Sequence, residues 1–259
     1  MDPLAPCRHA GGVEGLRVRQ QEYDPARAKK SELKPWLEKR FCIAPQHNGA
    51  FVYAMEDVIE VYHRAYDSDR PQVCLDETSK QLLEHTRVPL PARPGTVERV
   101  DDEYKRCGTA NIFAAVEPLT GWCLLQATDH RTNVDMAHFL RRLADEAFPK
   151  ATAVVLVMDN LSTHTLSCLY EAFPPAEARR LTERFEIHHT PKHGSWLNIA
   201  EILLSSLARQ CLDQRIGSIG KLQAILSAWS RARATGKVKR RFTTADARIK
   251  LLRLYPSLL

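Results

Sequence analysis

Three acidic residues stand at positions where solubility alone does not account for them. Asp76 closes the apolar run PQVCLD, Asp159 closes ATAVVLVMD, and Glu201 falls in a helical stretch, 197–213, in phase with Leu197, Leu204 and Ala208. A continuous apolar run like the second predicts a strand buried on both faces of a parallel sheet. Open α/β sheets bind ligands at the carboxyl ends of their strands, and neighbouring strands lie about 5 Å apart. Two carboxylates held there repel, so one stays protonated unless a cation neutralises both. A hard divalent ion such as magnesium, with its preference for oxygen ligands, suits that pair. A glutamate on an apolar stripe is costly unless paired or coordinated, which predicts Glu201 against the sheet as a third oxygen ligand. Each residue also has an ordinary reading. An aspartate at a strand end is often a turn former or a helix N-cap, and Glu201 could pair with Arg209 or Lys192. It is the three together, at the expected points of one architecture, that favour metal chemistry.

The elements that must hold these residues follow from periodicity. Phe51, Met55, Val58, Ile59 and Tyr62 share a helical spacing within 47–66. A turn at 67–71 leads into the strand of Asp76, and the prolines and charges of 85–108 admit no assignment. TANIFAAVEP and GWCLLQAT read as two strands joined across Pro118–Gly121. NVDMAHFLRRLADEAF has the period of an amphipathic helix, with Val134, Ala137, Leu140, Leu143 and Phe148 predicted inward. After the strand of Asp159, Thr165–Phe173 reads as a helix capped by Ser162 and Thr163, then FEIHH as a strand. Helical stretches at 197–213, 218–233 and 243–254 complete the chain. This order points to an α/β fold, a mixed sheet with helices packed on it.

Composition narrows the classes. The chain has 259 residues, enough for one large domain or a core with a small appendage. No apolar run is long enough to span a bilayer, and the opening segment lacks the apolar stretch of a secretory signal, so a cytoplasmic protein without a membrane partner is expected. Seven scattered cysteines without a CxxC pair argue for reduced thiols. The net charge of +6 permits a polyanionic partner without requiring one.

Secondary candidates carry open alternatives. His188, His189 and His193 lie close together, but no cysteine has the spacing of a zinc site; a loop role beside the acidic site fits better. Lys192, His193, Trp196 and Asn198 could touch DNA by phosphate contact or base stacking; alternatively Trp196 packs its loop onto the core. The run Arg231, Arg233, Lys237, Lys239, Arg240 and Arg241 reads equally as a phosphate-binding surface or a solvated linker. Ser162 and His164 could suggest a hydrolase, yet no GxSxG elbow is present.

CLDET at 74–78, VLVMDNLSTHT at 155–165 and HTPKHGSWLNIAE at 189–201 together resemble the DDE-type transposases of bacterial insertion sequences, in the branch related to mariner elements. RQCLDQRI at 209–216 and RFTTADARIKLLRLYP at 241–256 fit the same branch, so the resemblance runs from about residue 30 to the C-terminus. It implies a ribonuclease-H-like fold in which Asp76, Asp159 and Glu201 hold two divalent ions, Mg2+ or Mn2+. It also implies cleavage of DNA at the element's ends and joining to a target, in a bacterial, nucleoid-associated protein that is plausibly a homodimer. The expected division is a disordered or non-family lead-in over 1–30, a linker and helix over 31–70, and the catalytic domain over 71–259. The family's N-terminal helix-turn-helix module has no counterpart here, which predicts a truncated transposase; the competing expectation is a catalytically idle remnant that binds DNA or a full-length partner. Two further departures are an interval from Asp159 to Glu201 wider than is usual in mariner relatives, with PPAEARRLTERFE as the inserted length, and Leu203, where an acid is expected on the helix surface.

Overall fold

The computed structural model describes residues 48–161, 164–232, 237–238 and 241–256, so the lead-in over 1–30 and the first part of the segment 31–70, residues 31–47, lie outside the described residues. Five strands form one sheet: β1 (Gln72–His85), β2 (Tyr104–Val116), β3 (Cys123–Thr128), β4 (Val154–Met158) and β5 (Phe185–His189), in the order β3-β2-β1-β4-β5. β1, β2 and β3 form an antiparallel meander, and β4 and β5 add on parallel to β1. The helices are α1 (Gly49–His63), α2 (Asn133–Arg142, prolonged by a π-helical turn at Leu143–Ala147), α3 (Cys168–Ala172), α4 (Pro175–Thr182), α5 (Ala200–Gln210), α6 (Ile219–Ala232) and α7 (Thr244–Lys250). The expectation of a mixed α/β sheet flanked by helices holds.

Alternation of side chains along the strands gives the sheet two apolar faces. Cys74, Ile112, Ala114, Val155 and Val157 pack under α1, α5, α6 and α7. Val73, Leu75, Phe113, Ala115, Leu156 and Met158 pack under α2, α3 and α4. The same alternation carries Asp76 to the face of Cys74, under α5, and Glu77 to the face of Leu75. α1 belongs to the first core, with Phe51, Met55, Val58, Ile59 and Tyr62 all buried as their spacing predicts. Arg248 of α7 grips both carboxylate oxygens of Glu56 at 2.8 Å and ties the C-terminal region to α1.

Several elements differ from the sequence reading. β1 and β2 run on to His85 and Tyr104, past the point where apolar alternation stops; cross-strand partners such as Glu84 and Lys105 continue the ladder beyond a bulge between Gln81 and Leu83. The inserted length after α3 is a helix, α4, started by Pro175 at its first position, where a missing N–H costs nothing. α3 is shorter than Thr165–Phe173, and its predicted caps, Ser162 and Thr163, lie outside the described residues. On α2, Met136 and Phe139 join Ala137, Leu140 and Leu143 in the core, whereas Val134 is exposed and Phe148 only half-buried. Val134 sits in the first turn, ahead of the stretch that packs on the sheet. Among the described residues no helix is long and apolar enough to cross a membrane, and Cys74, Cys107, Cys123, Cys168 and Cys211 are free thiols.

Candidate active site

The parallel register of β1 and β4 pairs Gln72 with Val155, Val73 with Leu156 and Cys74 with Val157. Two residues further, the same register sets Asp76 level with Asp159. β4 is buried at every position from Val154 to Met158, so the chain can first present a charge where the strand ends. That charge is Asp159, beside Asp76.

The Asp76 carboxyl is pushed up to about 7, chiefly by burial and further by the negative charges of Asp159, Glu77 and Glu201, although the Glu77 N–H donates to it at 2.9 Å. The carboxyl therefore sits in a field of surplus negative charge, the condition a divalent cation relieves. An all-oxygen donor set of Asp76, Asp159 and Glu201 fits such an ion by its chemistry. Among the described residues, however, no three histidine, cysteine or acidic side chains stand close enough to share one ion.

Asp159 has a partner that the sequence reading did not assign. His164 is buried between two carboxylates: its Nε2 lies 2.8 Å from Glu77 Oε2, and its Nδ1 contacts the Asp159 carboxylate. Burial opposes the imidazolium, but these contacts outweigh it and hold the His164 pKa up to about 10. Arg131 lies 3.7 Å from the same glutamate. The signal available in sequence was a histidine five residues beyond the strand-end aspartate, together with a second acid beside Asp76. His164 is thus engaged in an acid-histidine-acid bridge, and Ser162, its partner in the hydrolase alternative, lies outside the described residues.

Glu201 lies in the first turn of α5 and is exposed. The buried stripe of that helix is Ala200, Leu203 and Leu207, so the predicted stripe through Leu197, Leu204 and Ala208 is corrected: Glu201 stands to one side of the apolar face. Among the described residues neither Arg209 nor Lys192 pairs with it. Leu203 is 2% exposed, in the core under the sheet; an acid there would be buried, not displayed on the surface.

The position of α5 is set by polar pins in the preceding loop. Tyr62 of α1 donates its hydroxyl to the Leu197 carbonyl at 3.0 Å. Asn198 is 2% exposed; its amide donates to the Leu75 carbonyl at 2.8 Å, and its side-chain oxygen accepts from Ala200 N at 3.1 Å. Asn198 thus fastens the start of α5 to the residue before Asp76, with its amide taken up inside the fold. At the far end of α5, Lys80 of β1 donates to the Leu212 carbonyl at 2.6 Å.

Between β5 and α5 the chain makes a tight turn. A Cβ on Gly194 would come within 2.5 Å of the Pro191 ring, and His193 takes a left-handed φ of 64°. Lys192, His193 and Trp196 are exposed, Trp196 by 44%. His189 Nδ1 lies 3.3 Å from the Asp159 carbonyl, and His188 bridges Asp57 at 2.7 Å and Glu186 at 3.0 Å, so the three histidines turn to separate tasks. Arg231, Lys237 and Arg241 are exposed, whereas Arg233, Lys239 and Arg240 lie outside the described residues.

This sheet order, with Asp76 within β1 beside Asp159 just past the end of β4, is that of a ribonuclease-H-like catalytic domain. The chain belongs to the DDE superfamily of endonucleases, whose family model matches residues 71–223, more than half of its length. Among solved structures it is similar to the Mos1 strand transfer complex, with a TM-score of 0.54 and 15% identity over 80% of this chain and 61% of that one. It is also similar to the Mos1 mariner paired end complex with Mn, with a TM-score of 0.53 and 15% identity over 82% and 63%, and to the paired end complex with Mg, with a TM-score of 0.51 and 14% identity over 97% and 83%. The chain thus spans less than two thirds of the first two relatives, and likeness at this identity is a likeness of fold. No curated protein matches it by sequence.

Proposed function

We propose that this chain is the catalytic domain of a transposase that cleaves DNA phosphodiester bonds and joins the freed strand to a target. The observation that carries the reading is Asp76 on β1, level with Asp159 at the carboxyl end of the neighbouring β4 and pushed up to about 7 by burial and surrounding acids. Asp76, Asp159 and Glu201 are the residues that would hold Mg2+ or Mn2+, two ions, which when bound supply activation of a water or a DNA 3′-hydroxyl and stabilisation of the leaving oxygen. Similarity to relatives whose complexes contain Mn or Mg supports that choice.

The chain's own residues do the rest. His164 and Glu77 hold Asp159 in place, and Asn198 and Tyr62 hold the helix that carries Glu201. Lys192, His193 and Trp196 are exposed on the loop leading to that helix and are the candidates for strand contact by charge and stacking. Arg241, exposed, and its sequence neighbours Lys239 and Arg240 are further candidates for phosphate contact. The partners are the element's ends and the target duplex, brought together by a homodimer, and the setting is a bacterial nucleoid. The catalytic unit is best drawn as 71–259 together with α1, which shares its core.

The test is nicking of supercoiled plasmid with Mn2+ by the wild type and Asp159→Asn. The expected result is weak, sequence-tolerant nicking that the substitution abolishes. Equal nicking by both proteins, or none by either, would overturn the reading, and the second result would leave an idle remnant that binds DNA without cutting.

A further inference from the structure

β1, β3, β4 and β5 all run the same way, because β2 is antiparallel to both of its neighbours and β4 and β5 are parallel to β1. The turns that follow β3, β4 and β5 therefore gather at one end of the sheet, the end at which Asp159 emerges beside Asp76. In the order β3-β2-β1-β4-β5 the two aspartates occupy the middle. The turn after β5 carries Lys192 on one flank. The turn after β3, residues 129–132, lies on the other, and the two edge strands are about 19 Å apart. β3 ends at Thr128, which faces Asn111 and through it Ser79, past the level of Asp76.

This turn buries no side chain, yet its backbone is pinned. Asn111 Nδ2 donates to the Asp129 carbonyl at 3.2 Å, and the Thr128 hydroxyl donates to the His130 carbonyl at 2.6 Å. Thr132 N donates to the Asp135 carboxylate at 2.8 Å in a capping box. Asp129, His130, Arg131 and Thr132 are all exposed. A loop that adds nothing to the core and is nonetheless fastened on both sides holds its side chains out at a set position.

Arg131 is the cation so held. Its guanidinium lies 3.7 Å from Glu77, on the face of the sheet opposite α5. The Glu77 side chain is 5% exposed and already has a histidine in hydrogen-bond contact, His164 at 2.8 Å. Arg131 is therefore a distant second partner, and among the described residues its guanidinium makes no hydrogen bond. Arg64, Arg180 and Arg248, by contrast, donate to carboxylates at 2.7, 3.0 and 2.8 Å. With 58% of its side chain exposed, Arg131 keeps its N–H donors for a partner from outside. A planar guanidinium matches a phosphate oxygen pair in charge and geometry.

We propose that Arg131 binds a phosphate of the DNA strand flanking the bond to be cut, so that the strand lies across the carboxyl end of the sheet between Arg131 and Lys192. The span of about 19 Å between those flanks corresponds to roughly five or six nucleotide steps of about 3.4 Å. The inference rests on the reading of the aspartates as DNA-cutting groups, and its test is kept separate from cleavage.

Fluorescence anisotropy of a short labelled duplex in EDTA, over a range of salt, reads phosphate contact without any metal-dependent step. Each contact contributes about 0.9 to the slope of log affinity against log salt, so losing one costs about eightfold at about 0.1 M salt. Arg131→Gln is expected to bind about five- to tenfold more weakly there, with the slope reduced by about one. Arg131→Lys keeps the charge and should keep the slope, losing only about two- to threefold with the fork. Arg141→Gln, about 12 Å down α2 from this end of the sheet, makes the same change in net charge and should bind like wild type. Melting temperature, and its rise on adding Mn2+, should match wild type in all three. An unchanged slope in Arg131→Gln would overturn the proposal. An equal loss in Arg141→Gln would do the same, since it marks net charge alone, and so would a wild type that binds no DNA. A weaker Mn2+ response in Arg131→Gln with DNA binding intact would also sink it, because the residue would then serve only to support Glu77 and His164. Plasmid nicking with Mn2+ reports on the nuclease reading alone: its absence leaves a measured loss of slope standing, and its presence does not rescue an arginine whose removal changes nothing.

Discussion

Two groups of acids in this protein meet opposite fates. At the outer edge of the sheet, Glu186 of β5 accepts from Arg64 at 2.7 Å, from His188 at 3.0 Å and from Arg70. Burial works against its charge, yet these partners hold it down to about 2. Where β1 passes the carboxyl end of β4, burial and neighbouring acids push Asp76 the other way, to about 7. The edge cluster already contains its cations and acts as a clasp between α1 and β5. In the central cluster His164 is shared between Glu77 and Asp159 and Arg131 lies near Glu77, and among the described residues Asp76 has no cationic partner. A buried carboxyl raised by neighbouring acids is a candidate for a charge from outside.

The largest expected effect lies on activity. Asp159→Asn should reduce Mn2+-dependent plasmid nicking to background, whereas Glu186→Gln, in the satisfied cluster, should leave it near wild type; comparable losses in both would dissolve the contrast. Next comes His164→Ala, which strips the cation from between two carboxylates and should cost about 3 kcal/mol of stability in urea unfolding. The folded pKa of His164, about 10, is above its ordinary 6.5. Its contribution is therefore complete below pH 6.5 and fades as the pH rises through 10, so the cost of the substitution should shrink in strongly alkaline buffer.

Asp76→Asn should act in the opposite direction. Because its folded pKa is raised from 3.8 to about 7, metal-free wild type is favoured by Asp76 at low pH and loses that contribution as the pH rises through 7. In EDTA at pH 8 the substitution should stabilise the protein by on the order of 2 kcal/mol, after allowance for solvent at a partly exposed group. Added Mn2+ should raise the melting temperature of the wild type more than that of the variant; identical shifts would count against Asp76 as a ligand. The smallest effect belongs to Glu186→Gln, about 1 kcal/mol because its arginine partners are half exposed. Its folded pKa is depressed, so that contribution is present above pH 4.5 and is lost as the pH falls toward 2.

Much of the frame was legible before any coordinates. VVLVM is apolar at every position, and only a strand covered on both faces accommodates that; the charge that follows had to emerge at the strand's end. The helix of Phe51, Met55, Val58 and Ile59 was readable for the same reason, since a repeated apolar spacing leaves one face to bury. Short and polar elements were less legible. β1 beyond Glu77 lacks alternation and is held by its ladder to β2, and α4 has two arginines, one acid and one hydroxyl among only eight residues.

What the amino-acid order determined by itself is where Asp159 emerges, because an uninterrupted apolar run has one stable environment and a charge can follow it only where the buried strand ends; Asp76 lies within β1, which runs on to His85. What the tertiary structure alone decided is partnership. Glu77 meets His164, Asn198 meets Leu75, and Tyr62 meets Leu197 across long stretches of chain. The side of α5 on which Glu201 stands depends on which residues the sheet covers. Local patterns of hydrophobicity specify which face of an element is buried, but the register between elements selects the atoms that meet across it. That is why the emergence of Asp159 at a strand end could be read from the sequence and the groups around it could not.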